Sequence, residues 1–120
     1  MTIGNIVSAM PALKKVSAAD MRPKTLYRVS RLLDQLDHIL VFYNERRAAL
    51  IKKLGHTTED GWRVDDENVD AYQKEIAEVL GVEVVDEIIP VRIPMDENIR
   101  LSYQDLCLMR GLIELETEGD

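Results

Sequence analysis

The stretch from Pro23 to Leu54, PKTLYRVSRLLDQLDHILVFYNERRAALIKKL, decides the fold class of this chain. No glycine and no further proline interrupts it, and Gly55 follows directly. Proline is favoured in the first turn of a helix and glycine just past its end. The stretch therefore predicts one helix of 32 residues, which is about 48 Å long at 1.5 Å per residue.

Apolar residues of this helix recur at two heptad positions. A single charged residue, Arg47, interrupts them, and Leu32 and Ile39 widen the stripe beyond a coiled-coil seam. We therefore expect the helix to pack against several elements or against a second copy, which makes a homo-oligomer through the long helix the first partner prediction. The two sets are Leu26, Leu33, Leu40 and Leu54, and Val29, Leu36, Tyr43 and Leu50.

Three shorter helices are predicted around the long one. Apolar residues recur at helical spacing over 3–19, where Pro11 is expected to kink the helix or start a second segment. A further helix is predicted from Asp66 or Asn68 to Leu80, and a last one over 103–113, with Ser102 and Asp105 as its capping box.

Strands are predicted to be few and short. Trp62–Val64 is the first candidate, and the β-branched run 82–94 is the second, with Pro90 and Pro94 limiting it to an edge or a bend. The expected fold is thus mainly α with minor β, in which a long central helix packs with three shorter helices and one or two short strands. We expect one domain over 1–120, with 114–120 as a frayed acidic tail.

Composition narrows the functional class. The longest apolar runs are far short of the ~20 residues that a membrane span needs, and the only cysteine, Cys107, has no internal disulfide partner. A soluble protein of a reducing cytoplasm is expected. Neither a nucleophile motif nor a glycine-rich phosphate loop occurs, and besides the acids only His38, His56 and Cys107 could bind a metal. We therefore predict a non-enzymatic protein without metal or cofactor.

Charge is divided along the chain. Residues 1–55 hold ten Lys/Arg against four Asp/Glu, whereas residues 56–120 hold five against eighteen. A basic first half favours an anionic ligand, and an acidic second half favours contact with a basic protein. The net charge of −7 and the scarcity of aromatic residues argue against duplex DNA as the main ligand.

The candidate ligand-binding residues form three groups of cations with aromatic neighbours. Arg47 is of particular interest because its position on the stripe predicts either a buried ion pair or a cation lining a pocket. The same cations also suit the solvated face of an ordinary amphipathic helix, and the sequence leaves both interpretations open. The groups are Lys24, Tyr27, Arg28 and Arg31; Tyr43, Arg46 and Arg47; and Trp62 with Arg63.

Three segments carry a resemblance to a known family. They are ALKKV at 12–16, PKTLYRVS at 23–30 and ERRAALIKKLG at 45–55, followed by an acidic turn and the run 83–94. In these segments the chain resembles a family of small, largely uncharacterised phage and prophage proteins. The resemblance implies a viral protein in the bacterial host cytoplasm, and it carries no catalytic residues with it.

Three functions fit this context. The first is a binding protein that sequesters an anionic nucleotide immune signal in a basic pocket between subunits and so counters host defence. The second is a protein inhibitor that contacts a host factor through the acidic half. The third is an accessory protein of virion assembly or replication.

Overall fold

The computed structural model of the chain describes residues 1–116 and confirms a mainly α fold with minor β structure. Four helices and two small two-stranded sheets are present in this range, and a single 3-10 turn, Asp66–Asn68, precedes the third helix. The elements are α1 (Ile3–Ala18), α2 (Pro23–Leu54), β1 (Gly55–Thr58), β2 (Gly61–Val64), α3 (Val69–Leu80), β3 (Val91–Pro94), α4 (Tyr103–Leu108) and β4 (Ile113–Glu116).

Helix α1 is capped by its first residues and continues through its proline. The Asn5 N–H donates to Thr2 Oγ1 at 3.2 Å, and the Thr2 N–H donates to Asn5 Oδ1 at 2.8 Å. This reciprocal pair satisfies donors that a helix start leaves free. Pro11 lies inside α1 and is exposed, so no second segment begins there as the sequence had allowed.

The hydrophobic core surrounds the first half of α2. Helices α1 and α2 pack together, and β3 and the end of α4 close the core. Burial of these side chains is the main favourable term in the stability of the fold. The largest fully buried side chains are Ile6, Leu13, Val16, Val29, Leu32, Leu36, Ile93, Met109 and Leu112.

The second half of α2 has almost no core. Between residues 41 and 49 no side chain is buried. In the rest of the helix Leu50, 2% exposed, is the one buried residue, and α3 has none. Helix α3 and the β1–β2 hairpin pack against α2, and Lys53 of this half lies 4.0 Å from Glu75 of α3. The radius of gyration of 17.4 Å exceeds the about 14 Å of a compact chain of this length, so the molecule is elongated.

Both sheets contain only two strands. Strands β1 and β2 pair antiparallel and turn at Gly61, whose φ of +115° suits glycine. Strand β3 pairs in parallel with β4, with Val91 opposite Ile113. The predicted Trp62–Val64 strand is confirmed within β2.

The C-terminal region differs from the sequence prediction in three respects. The predicted strand 82–94 is a strand only over Val91–Pro94, because segment 82–90 has just one bridge, Thr2 to Glu83, and otherwise no strand partner among residues 1–116. The predicted helix 103–113 ends at Leu108, and Gly111 with φ +85° redirects the chain into β4. Strand β4 therefore includes 114–116 of the predicted frayed tail, and 117–120 lie outside the described residues.

Candidate functional site

A pocket of about 450 Å³ lies between the first half of α2 and the segment that leads into β3. Helix α2 contributes Tyr27, Arg28 and Arg31, and Arg31 lies about one turn from each of the other two. Arg92 of β3 contributes a third guanidinium. We call this site the arginine pocket, defined by Arg28, Arg31 and Arg92.

The inner wall of the arginine pocket is apolar. Leu32 is 1% exposed and Val91 is 7% exposed, so both belong to the core as well as to the pocket. Ile89 and Pro90 extend this apolar wall toward solvent. A concave site with an apolar wall and a few convergent polar groups is the usual form of a small-molecule site.

Strand alternation places Arg92 toward solvent. Its neighbours Val91 and Ile93 are buried, and side chains of a strand point alternately to its two faces. Arg92 lies opposite Glu114 in β4, with Nε 3.7 Å from Oε2. Both side chains are more than half exposed, and such surface pairs are weak, so the Arg92 guanidinium can exchange this partner for an anion.

The net charge of the arginine pocket is positive. Three guanidinium groups line it, and Glu116 supplies one carboxylate. Within the described part of the chain, neither Arg28 nor Arg31 has a carboxylate within 4.0 Å. Guanidinium groups bind phosphate and carboxylate oxygens through paired N–H donors. Tyr27 is 66% exposed and offers a ring face for stacking.

The structure divides the predicted binding residues among separate places. Tyr27, Arg28 and Arg31 share the arginine pocket, whereas Lys24 is exposed one turn earlier and does not line it. Arg46 lies 15 residues beyond Arg31 on the same helix, a separation of about 22 Å. The two basic groups of α2 therefore cannot contact one compact nucleotide together.

Of the two alternatives predicted for Arg47, a buried ion pair or a cation lining a pocket, the buried ion pair is wrong. Arg47 is exposed, and no carboxylate of residues 1–116 lies within 4.0 Å of it. Arg47 lies on the second half of α2, which has almost no core, so its long side chain extends to solvent. Tyr43 is half-buried and packs against the core.

Trp62 and Arg63 lie on β2, beyond the far end of α2. Trp62 is 50% exposed, and Arg63 Nη2 is 3.7 Å from Asp66 Oδ1. Arg63 lines a second, mostly acidic pocket together with Asp65, Asp66 and Glu67. These acidic surroundings are unfavourable for an anion. Trp62 and Arg63 do not belong to the arginine pocket.

Arg92 and Glu116, which both line the pocket, were not among the residues predicted from the sequence. The alternation of Val91, Arg92 and Ile93 was sufficient to predict that Arg92 points away from the core. It was not sufficient to predict that β3 lies beside Arg28 and Arg31, because that contact depends on the packing of distant segments.

Displaced pKa values lie outside the arginine pocket. Hydrogen bonds from Arg22 lower the pKa of both Asp96 and Glu97, and these same bonds raise the pKa of Arg22. The Arg22 backbone N–H also donates to Glu97 Oε2 at 3.1 Å. This cluster holds the start of α2 against the loop after β3, so we assign it a structural role.

Among residues 1–116 no group of three or more His, Cys, Asp or Glu side chains is arranged to hold a metal ion. No helix in that range is long and apolar enough to cross a membrane. Comparison of the chain with protein-family models, with curated proteins and with solved structures gave no match.

Proposed function

We propose that this protein binds an anionic small molecule of the nucleotide class in the arginine pocket and holds it without chemical conversion. One observation carries the proposal. Arg28 and Arg31 of α2 meet Arg92, more than sixty positions later in the sequence, around an apolar wall and an exposed tyrosine. A solvated face of an amphipathic helix requires no such convergence from a second element.

The geometry suits a ligand with a phosphate group and a flat ring. The guanidinium groups would bind phosphate oxygens, and Tyr27 would stack on a base at a gain of about 1–3 kcal/mol. The volume of about 450 Å³ lies within the roughly 300–1,000 Å³ range of small-molecule pockets. The site is built by one chain, so binding does not require the inter-subunit pocket expected from the sequence.

Combined with the resemblance to phage proteins, this binding would remove a nucleotide signal that the host uses in defence. Affinity alone performs that function, since a sequestered signal no longer reaches its receptor. An inhibitor acting through the acidic half is less favoured by the geometry. The acids are distributed among several places: Asp65 and Asp66 lie by the hairpin, Glu97 binds Arg22, and Glu114 faces Arg92. A role in virion assembly stays a prediction.

The test is a titration of the whole chain with phosphate, AMP, ADP-ribose and cyclic dinucleotides, followed by calorimetry and thermal melting. At a ligand concentration of 100 Kd, binding is expected to stabilise the fold by about 2.7 kcal/mol. Arg31→Ala is expected to weaken binding about tenfold or more, as loss of a charge-assisted hydrogen bond would.

Arg47→Ala is the matched control, because it removes the same charge from the same helix outside the pocket. It should leave the affinity within about twofold of wild type. A specific site would be contradicted if no member of the panel bound, or if Arg31→Ala and Arg47→Ala lost affinity equally.

A further inference from the structure

One exposed face of α2 contains both signs of charge and both large and small side chains. Phe42, Glu45, Arg46 and Ala49 have the spacing i, i+3, i+4 and i+7, which places them on one side of the helix. All four are exposed, and Phe42 retains 47% of its accessible surface. We call this side the α2 outer face.

The outer face lies on the half of the molecule that lacks a core. Leu50 is the one buried side chain in α2 beyond Ile39, and α3 buries none. The β1–β2 hairpin at this end has two strands, and such a hairpin has little stability of its own. A partner that covered the exposed part of Phe42 on this thin layer would gain the free energy of apolar burial.

We propose that a second copy of this chain packs antiparallel against the α2 outer face, about a twofold axis between Glu45 and Arg46. In that register the numbers of any two residues that face each other add up to 91. Phe42 of one copy then lies against Ala49 of the other, and Glu45 lies against Arg46. Each contact occurs twice, as a symmetric interface requires.

Side-chain size agrees with this register. Ala49 leaves space on the helix surface, and a bulky side chain opposite a small one lets two helices approach closely. Phe42 would lose its remaining exposure in that space. Without this contact, its ring stays half in water.

Charge agrees with it as well. No carboxylate of residues 1–116 lies within 4.0 Å of Arg46, and Glu45 has no cation within that distance in the same range. Farther from the axis, Lys53 would face the position of His38, beside which Glu83 and Asp86 lie. Among residues 1–116 the ion partner of Lys53 is Glu75, at 4.0 Å, and the two side chains are 69% and 40% exposed. Such a surface pair is weak, so Lys53 can exchange it for the acids of the other copy.

These features select a second copy over an unrelated protein. A host protein would need only to complement the outer face, whereas here the face complements itself in both shape and charge at one register. The proposal is independent of the arginine pocket, which lies on the first half of α2 and is complete within one chain.

The experiment measures mass by light scattering and sedimentation for the whole chain and five variants. Wild type is expected to be a dimer at micromolar to submillimolar concentration. Glu45→Arg and Arg46→Glu should each weaken the dimer by about tenfold or more, because each places like charges opposite each other twice.

Restored dimer formation is the decisive result. The double variant with both changes, E45R and R46E, regains opposite charges and should dimerise like wild type. An equimolar mixture of the two single variants should form a mixed dimer, since each supplies the sign that the other lacks. Arg47→Glu is the matched control, because residue 47 lies on another side of the helix, and it should leave the dimer intact.

Circular dichroism confirms that each variant is folded, and Ala49→Arg provides a second route by filling the space opposite Phe42. It should yield a folded monomer. A monomeric wild type would overturn the proposal. Failure of the mixture and of the double variant to dimerise would also overturn it, as would an Arg47→Glu variant as weak as Arg46→Glu.

Discussion

Lys15 Nζ lies 3.0 Å from Asp105 Oδ2, and this contact joins α1 to α4 across 90 positions of the sequence. The Ser102 N–H donates to the same carboxylate oxygen at 3.0 Å, and Lys15 also reaches Oδ1 at 3.2 Å. Asp105 is buried, with 7% of its surface exposed. These donors favour the ionised carboxylate, so the hydrogen bond from the Ser102 backbone and then the one from Lys15 lower the pKa of Asp105.

The first prediction concerns pH. Since the pKa of Asp105 is lower in the folded state than in the unfolded state, its stabilising contribution is present above the ordinary carboxyl pKa of about 4. The contribution is lost as pH falls through the folded value. Asp105→Asn should lower the melting temperature at pH 7 and flatten its decline in acid. Thermal melts over the acid range check this, with the exposed Glu59→Gln as control; parallel curves for wild type and Asp105→Asn would exclude the mechanism.

The second prediction compares two carboxylates that bind one arginine. The Glu97 side chain is 2% exposed and accepts both the backbone and the side-chain N–H of Arg22, whereas Asp96 is 74% exposed. Replacing Glu97 by alanine removes the buried carboxylate that accepts both of these Arg22 hydrogen bonds. Glu97→Ala should therefore reduce the urea midpoint clearly more than Asp96→Ala does. Equal midpoints for the two variants would show that burial at this cluster is unimportant.

The third prediction concerns the junction of α2 and β1. Gly55 has an extended backbone, so its small size is what the junction requires: a Cβ there would lie 2.2 Å from the Arg63 carbonyl oxygen. Gly55→Ala should destabilise the fold by about 1–3 kcal/mol through overpacking. Gly81→Ala is the control, because its nearest neighbour is the Ala77 oxygen at 3.3 Å, and it should change stability by less than about 0.5 kcal/mol. Chemical denaturation measures both values.

The fourth prediction separates two leucines of the same helical stripe. Leu36 is fully buried, and Leu26 is 44% exposed. Leu36→Ala should cost about 2–5 kcal/mol, since it leaves a cavity in a packed core. Leu26→Ala should cost less than about 1 kcal/mol. Similar losses of free energy of unfolding in the two variants would mean that a partner buries Leu26 in solution.

Local patterns were sufficient for most of the helix limits. Pro23 and Gly55 predicted both ends of α2, and Ser102 with Asp105 predicted the start of α4, because caps act on groups within one turn of the chain. The 3.6-residue periodicity predicted which side of α1 is buried. The end of α4 was not predicted, because the chain after Leu108 is directed by pairing with β3.

The arginine pocket was half predicted. Helical spacing alone places Arg28 and Arg31 together beside Tyr27, since residues one turn apart are neighbours on any helix. The buried ion pair expected at Arg47 is wrong because it depended on tertiary packing and not on local spacing. Its stripe position predicts burial only if something covers that part of α2, and coverage is a property of the packed molecule.

The sequence by itself thus determined the long helix, its limits and its apolar side, because hydrogen bonding and side-chain periodicity act between residues a few positions apart. Tertiary structure alone decided that β3 pairs with β4, that Arg92 meets Arg28 and Arg31, and that the second half of α2 remains open. The physical reason is that these outcomes depend on which distant surfaces bury each other, and one apolar stripe can satisfy that requirement in several ways.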